Sequence, residues 1–383
     1  MTAEVTVSAM PNAHSHAFQR RLRGRAERPS RGHDDDFWTW RNEMFRVAAG
    51  LDAGAMRAVA AEAYAEMAGA GYGAVGEFHY VHHQPDGTPY EDPNEMAKAV
   101  AEAAIAAGLP IVLLPAAYQR NGWDRHDLPP LPGQRRFCDR DVESFLARVD
   151  ALRRWATGLE GVFVGIGAHS VRAVRRSWLT AIAEYADRHG LVRHVHAHEQ
   201  RRELEQCRAE HGCSPIELLA QTGFLSPRTS VIHAIHVSDR DVELLAATGT
   251  TVVTCPTTEG NLGDGYPPAL AYRAAGVPLA IGSDSHVRID PFEESRELET
   301  LSRRERELRS GLLASAGDLW AELCRNGRRS LGIDEATVGR AVLDLDHPDL
   351  RGVEAADLPL ALVTCASASV VKVPARATGV SGG

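Results

Sequence analysis

His14 and His16 stand one residue apart in PNAHSH, and in an extended chain residues i and i+2 share a face, so both imidazoles can reach one metal ion. Two distant segments could complete such a site: His196 lies in VRHVHAHEQ and Asp284 in PLAIGSDSH, each of which reads as a strand end. Three neutral imidazoles and a carboxylate suit zinc or a similar divalent ion, and a carboxylate-containing site with room for water suits catalysis better than structure. The chain has 17 histidines, so a close pair gains its meaning only from these partners. Glu199 follows His196 by three residues. If the strand bends there, the carboxylate can carry a proton from water to a leaving nitrogen; if not, it simply opens the polar run EQRRELEQ. His233 and His236 are three apart, and a regular strand cannot aim both inward. His236, nearer the expected strand end, is the candidate to help deprotonate water and stabilise developing charge, with His233 in a packing or supporting role. Asp284 would be ligand and proton acceptor together, and His286 stays open between support of the site and plain loop polarity.

Short Val- and Ile-rich runs alternate with longer amphipathic stretches, the pattern of repeated β-α units. Eight runs read as strands, at 5–14, 74–81, 110–118, 162–170, 192–199, 229–237, 250–258 and 278–286. Between them lie helical stretches such as AMRAVAAEAYAEMAGAG, DVESFLARVDALRRWA and VSDRDVELLAATG, several opening on Ser, Asp or Asn and closing on Gly. Eight such units predict an α/β fold, a closed (β/α)8 TIM-like barrel over residues 1–330, with its site at the C-terminal ends of the strands. Buried parallel strands are normally near-continuous apolar runs, yet His14, His16, His79, His169, His196 and His236 recur at their ends. One converging site accounts for all of them. A single ion is expected, because the fourth strand ends in GAHS and offers no lysine that could be carboxylated to bridge two metals. Such an ion leaves a position for water and brings its pKa toward neutrality. Residues 331–383 change character and read as the remnant of a small β-domain, with AVLDLDHPDLRG and LPLALVTCASASVVKV as β-type segments and ARATGVSGG as a disordered tail.

Composition narrows the field. A hydrophobic fraction of 44% and a charged fraction of 24% are those of an ordinary globule, and 383 residues can bury a large core. A net charge of -9 argues against a nucleic-acid surface, and RRERELR at 303–309 alternates sign like a solvated helix face. No run is long and apolar enough for a membrane helix, and the first residues lack a basic segment followed by an apolar one, so a cytoplasmic location is expected. The six cysteines show no C-x-x-C pair and read as reduced packing residues. A small molecule is the expected partner, with no nucleic acid and no membrane, and a homodimer is the assembly to test.

With those residues assembled, MPNAHSHAFQR, DDFWTWRNEMFR, GEFHYVHH, GAHSVRAV, HAHEQRRELEQC, CPTTEGNLGDG and IGSDSHVRIDPFEE make the chain resemble the amidohydrolase superfamily and, within it, the formimidoylglutamate deiminases. The matching stretches run from about residue 10 to residue 330. H-x-H with a late Asp is shared by many amidohydrolases, whereas HSHAFQR with FWTWR, FHYVHH and TTEGNLGDG is specific. The resemblance implies hydrolysis of N-formimino-L-glutamate to N-formyl-L-glutamate and ammonia, a step in histidine degradation. It also implies His14, His16, His196 and Asp284 as ligands of one Zn2+, and the acid-base groups read from the residues themselves, Glu199, His236 and Asp284, agree with that chemistry. A dicarboxylate substrate needs cations and donors, and the resemblance places them at Gln19, Arg41, Tyr80, His169 and Arg172. The β-rich segment that precedes the barrel in that family is missing here, so the small β-domain is expected to be truncated. A deaminase of another amidine or of a purine or pyrimidine ring, and an inactive truncated barrel, are the competing readings.

Overall fold

The computed structural model describes residues 3–27, 37–122, 129–309, 311–314 and 318–372; the expected disordered tail, His33 and His126 lie outside them. Eight parallel strand positions form the barrel: β2 (Met10–Ser15), β3 (Tyr72–His79), β4 (Ile111–Ala117), the broken strand β5 (Val162–Val164) with β6 (Ile166–Ser170), β7 (Arg193–Ala197), β8 (Thr229–His233), β9 (Thr251–Thr254) and β10 (Leu279–Ile281). Each expected strand is found, and neighbours pair in order from β2 round to β10. The ring closes just past β10, where His16 N–H donates to the Asp284 carbonyl and Asp284 N–H to the His14 carbonyl, both at 3.1 Å. Three of the four metal-ligand candidates, His14, His16 and Asp284, therefore meet on the seam of the barrel. Gly282 makes that seam possible. A Cβ there would sit 2.7–2.8 Å from backbone and Cβ atoms of His14, so Gly282→Ala is expected to cost about 1–3 kcal/mol in denaturant unfolding and to shift His14.

Helices follow the strands as the capping residues dictate. Asp52 accepts from Ala55 N at the start of Ala53–Ala70, which Gly71 ends at φ +96°, and Asp141 and Ser238 cap Val142–Ala156 and Asp239–Thr248. The apolar faces of these helices cover strands whose residues are buried on both sides, as in β4, IVLLPAA. Among the described residues no helix is long and apolar enough to cross a membrane.

The two ends of the chain differ from expectation. The run VTVSAMPNAH is two strands, split at Ala9, because β1 (Glu4–Ser8) leaves the barrel and pairs antiparallel with β11 (Arg340–Asp344), which in turn pairs with β12 (Val371–Lys372). Burial reports the switch: β1 is half exposed, whereas every residue of β2 is buried. The segment LPLALVT is not β-type but a helix, Leu358–Thr364. Its Leu and Ala residues favour a helix, Pro359 sits in the first turn, and Ala361, Leu362 and Val363 are buried against helices Pro291–Arg306 and Leu319–Leu331. Helix Leu319–Leu331 itself ties the barrel floor together, with Asn326 donating to the Leu279 carbonyl (2.8 Å) and Trp320 to that of Ser8 (3.0 Å).

Candidate active site and metal centre

The strand ends that carry the site do not finish in regular geometry. Six non-glycine residues in the described chain have positive φ, and five of them, His198, His233, Ala234, Asp284 and His286, follow or end β7, β8 and β10. Such strain persists only where surrounding structure enforces it, and it clusters at functional sites. Its effect is local and specific: β7 ends at Ala197, His198 turns at φ 59°, and Glu199 is swung back into the cavity that His196 also lines. That is the bend Glu199 required.

His14, His16 and His196 bring their Nε2 atoms together at 3.2, 3.3 and 3.1 Å, and Asp284 Oδ1 lies 3.2 and 3.3 Å from the first two. A regular tetrahedron with ligands about 2.0–2.1 Å from a central zinc has edges of about 3.3–3.4 Å, so the four atoms have the spacing of a coordination shell. Protonation argues the same way. His16 Nδ1 is 2.8 Å from the Phe78 carbonyl and His196 Nδ1 is 2.7 Å from the His169 carbonyl; a carbonyl only accepts, so each ring carries its proton on Nδ1 and turns a bare Nε2 lone pair inward. Burial, and then the neighbouring imidazoles, hold His14 and His196 well below the usual histidine range and His16 at about 3. Lone pairs and a carboxylate converging without a proton between them form a cation site.

A buried polar chain supports this quartet from behind. Asn12 donates to Ser283 Oγ (2.7 Å), His286 bridges Ser283 Oγ (2.9 Å) and Ser15 Oγ (3.1 Å), and Ser15 donates to Glu77 (2.6 Å). His286, left open by sequence, thus fixes the loop of Asp284 to the strand of His14 and His16. Burial lowers its pKa to about 3 and raises that of Glu77 to about 7.

Beside the quartet stands a second cluster of buried titratable groups. His233 Nε2 is 3.6 Å from Glu199 Oε1, and His233 Nδ1 is 3.2 Å from Glu259 Oε1, which also accepts from Cys255 N–H (2.8 Å). Burial pushes Glu199 up to about 7. Burial alone would lower His233, but Glu199, the Glu259 hydrogen bond and Asp284 outweigh it and carry it up to about 10. The sequence expectation for His236 is corrected here. β8 stops at His233, whose φ of 72° turns the chain away, so His233 lines the cavity, while His236 is partly exposed with its ring against Gly265.

The chain matches the amidohydrolase family over residues 7–339. It belongs to that family. Formimidoylglutamate deiminase of Pseudomonas aeruginosa is 38% identical over 358 residues, 90% of this chain and 77% of the relative. A 5-methylthioadenosine/S-adenosylhomocysteine deaminase of Haloarcula marismortui is 28% identical over 90% of this chain and 74% of its own. Among solved structures an amidohydrolase from Brucella melitensis superposes with a TM-score of 0.87 at 34% identity, covering 96% of this chain and 85% of that one. An adenosine deaminase from Xanthomonas campestris, at 20% identity and a TM-score of 0.76 over 96% of this chain and 78% of that one, shares the fold.

In this amidohydrolase a cavity of about 440 Å³ opens above the quartet, and Gln19, Arg41, Tyr80, His169 and Arg172 all line it. Gln19 donates to Tyr80 Oη (2.8 Å), and its own Oε1 is buried without a partner among the described residues. Arg41 donates to Tyr118 Oη (3.1 Å). Arg172 is 3% exposed, and its Nε has no hydrogen-bond partner among the described residues. His169 lines the cavity with the two arginines and is held well below its usual pKa by burial, then by the charge of Arg172 and Arg41. His79, by contrast, packs on His82 outside the cavity, and Tyr80 takes the inward position. Sequence reasoning missed Tyr118, Phe37, Trp40, Met44 and Phe45, which complete the walls. Tyr118 ends the third expected strand, where the positional logic used for Tyr80 would have found it; the other four sit on helix Phe37–Ala49, whose docking over the barrel mouth is a long-range event.

Proposed function

We propose that this amidohydrolase hydrolyses N-formimino-L-glutamate to N-formyl-L-glutamate and ammonia, with zinc held by His14, His16, His196 and Asp284. The observation that carries the reading is Arg172, a buried guanidinium with an unpartnered Nε, facing the same cavity as Arg41 with no carboxylate bonded to either among the described residues. A buried unsatisfied cation is costly, and a dicarboxylate substrate supplies its partner. A purine pocket would call for ring stacking and amide donors in place of paired arginines.

The bound metal supplies an electrophilic centre that acidifies the attacking water. The chain's residues do the rest. Arg41, Arg172, His169 and Gln19 hold the glutamate portion so that the formimino carbon faces Glu199. Glu199 takes the proton from the water as its oxygen adds to the C=N carbon, and delivers it to the nitrogen. His233, held by Glu259, stabilises the charge that develops on oxygen. As the tetrahedral adduct collapses, the remaining hydroxyl proton passes by way of Asp284 to the amino nitrogen, the C–N bond breaks, ammonia leaves and the formyl C=O forms.

Zinc-loaded protein incubated with N-formimino-L-glutamate is expected to release ammonia. No release above background, from folded protein carrying about one metal per chain, overturns the substrate. Arg172→Met is expected to raise KM by about 10- to 100-fold, the value of a charged hydrogen bond, with metal content unchanged by atomic absorption.

A further inference from the structure

A second compartment of about 520 Å³ adjoins the cavity and shares Arg41 and Arg172 with it. Its other walls are Trp38, Arg202, Gln206 and the backbone turn Asn121–Gly122. Three guanidiniums gather round one indole here: Cζ of Arg202 lies 4.8 Å from the Trp38 ring centroid, and those of Arg41 and Arg172 each lie 5.5 Å from it. No described acidic residue lines the compartment, although the chain as a whole carries a net charge of -9. Arg172 is buried and its Nε has no hydrogen-bond partner among the described residues; burial and then Arg41 disfavour its charge more than Glu203 and Glu199 favour it. Cation–π contact with Trp38 offsets part of the repulsion, but an indole is a donor only and cannot accept the in-plane hydrogen bonds that three guanidiniums offer. An anion can.

We propose that the compartment at Trp38 and Arg202 is an outer carboxylate subsite, in which Arg202 joins Arg172 in binding the substrate carboxylate farther from the reacting carbon. This rests on the proposed dicarboxylate reading and extends it, because Arg202 belongs neither to the metal quartet nor to the inner cavity. Arg202 lies in the first turn of helix Arg201–His211, two residues after the helix's N-cap Gln200 and three after Glu199. The subsite makes the enzyme selective for two carboxylates over one, through binding of the ground and transition states alike.

The test uses the metal-loaded full chain and its Arg202→Met variant, an exposed position whose change should not disturb folding. Calorimetric titration with glutarate is expected to show binding that weakens about fivefold in the variant, the upper range for a partly exposed ion pair. Butyrate, with one carboxylate, should weaken less than about twofold, and Arg202→Lys should recover part of the glutarate affinity. With N-formimino-L-glutamate the variant should show a KM raised by the same factor and kcat within about twofold of the parent. Equal glutarate affinity in parent and variant, an equal loss for glutarate and butyrate, or no glutarate binding by the parent each overturns the subsite. Arg202-dependent glutarate binding without ammonia release overturns the substrate reading and leaves the subsite standing.

Discussion

Glu199→Gln is expected to lower kcat by about 10²- to 10⁴-fold, the range for losing a positioned acid-base group, while metal content and the unfolding midpoint stay close to those of the parent. Glutamine keeps the shape and can accept from the same neighbours, but cannot take up a proton. The carboxyl suits proton transfer near neutrality because burial pushes it up to about 7, near the operating pH at which an acid-base group works best. It reaches the cavity only through the left-handed turn at His198, so its position is fixed by backbone and not by a flexible stem. KM should change far less than kcat, since the loss falls on the transition state. Loss of metal in this variant would contradict the role, because Glu199 lies outside the quartet of His14, His16, His196 and Asp284. A fall in KM equal to that in kcat would point instead to nonproductive binding.

Local periodicity made part of this site readable. His14 and His16 could be paired from sequence because an i, i+2 relation is a property of any strand, and the eight β-α units followed from apolar alternation. The limit of that logic is where strands stop. The run at 229–237 contains two histidines in an apolar setting, and nothing local says that the strand ends at His233 and not three residues later. VTVSAMPNAH is likewise continuous in character, yet Ala9 N–H bonds to the Gly339 carbonyl and Met10 N–H to that of Gly71, two partners distant in sequence that directly precede strands of different sheets, β11 and β3. LPLALVT shows the same limit at the other end, since a short apolar run is strand or helix according to what covers it. The cavity walls from helix Phe37–Ala49 were legible as a motif by resemblance, but their packing over the barrel was not.

The strand end at β8 carries the second large prediction. His233→Asn is expected to reduce kcat/KM by about 10²- to 10³-fold, and His236→Asn by less than about threefold. Both are histidines on one loop, so a general disturbance of that loop would affect the two alike. The difference rests on partners. His233 is almost fully buried, 3.2 Å from Glu259 on one nitrogen and 3.6 Å from Glu199 on the other, whereas His236 is partly exposed beside Gly265. Glu259 sets which face of His233 looks toward Glu199, much as a carboxylate orients a catalytic imidazole elsewhere. Glu259→Gln should therefore fall between the two histidine variants, because an amide oxygen still accepts from Nδ1 but no longer balances a charged ring. Two wild-type-like rates for His233→Asn and Glu259→Gln, with normal metal content, would remove this pair from the chemistry and leave Glu199 and Asp284 to manage the proton alone.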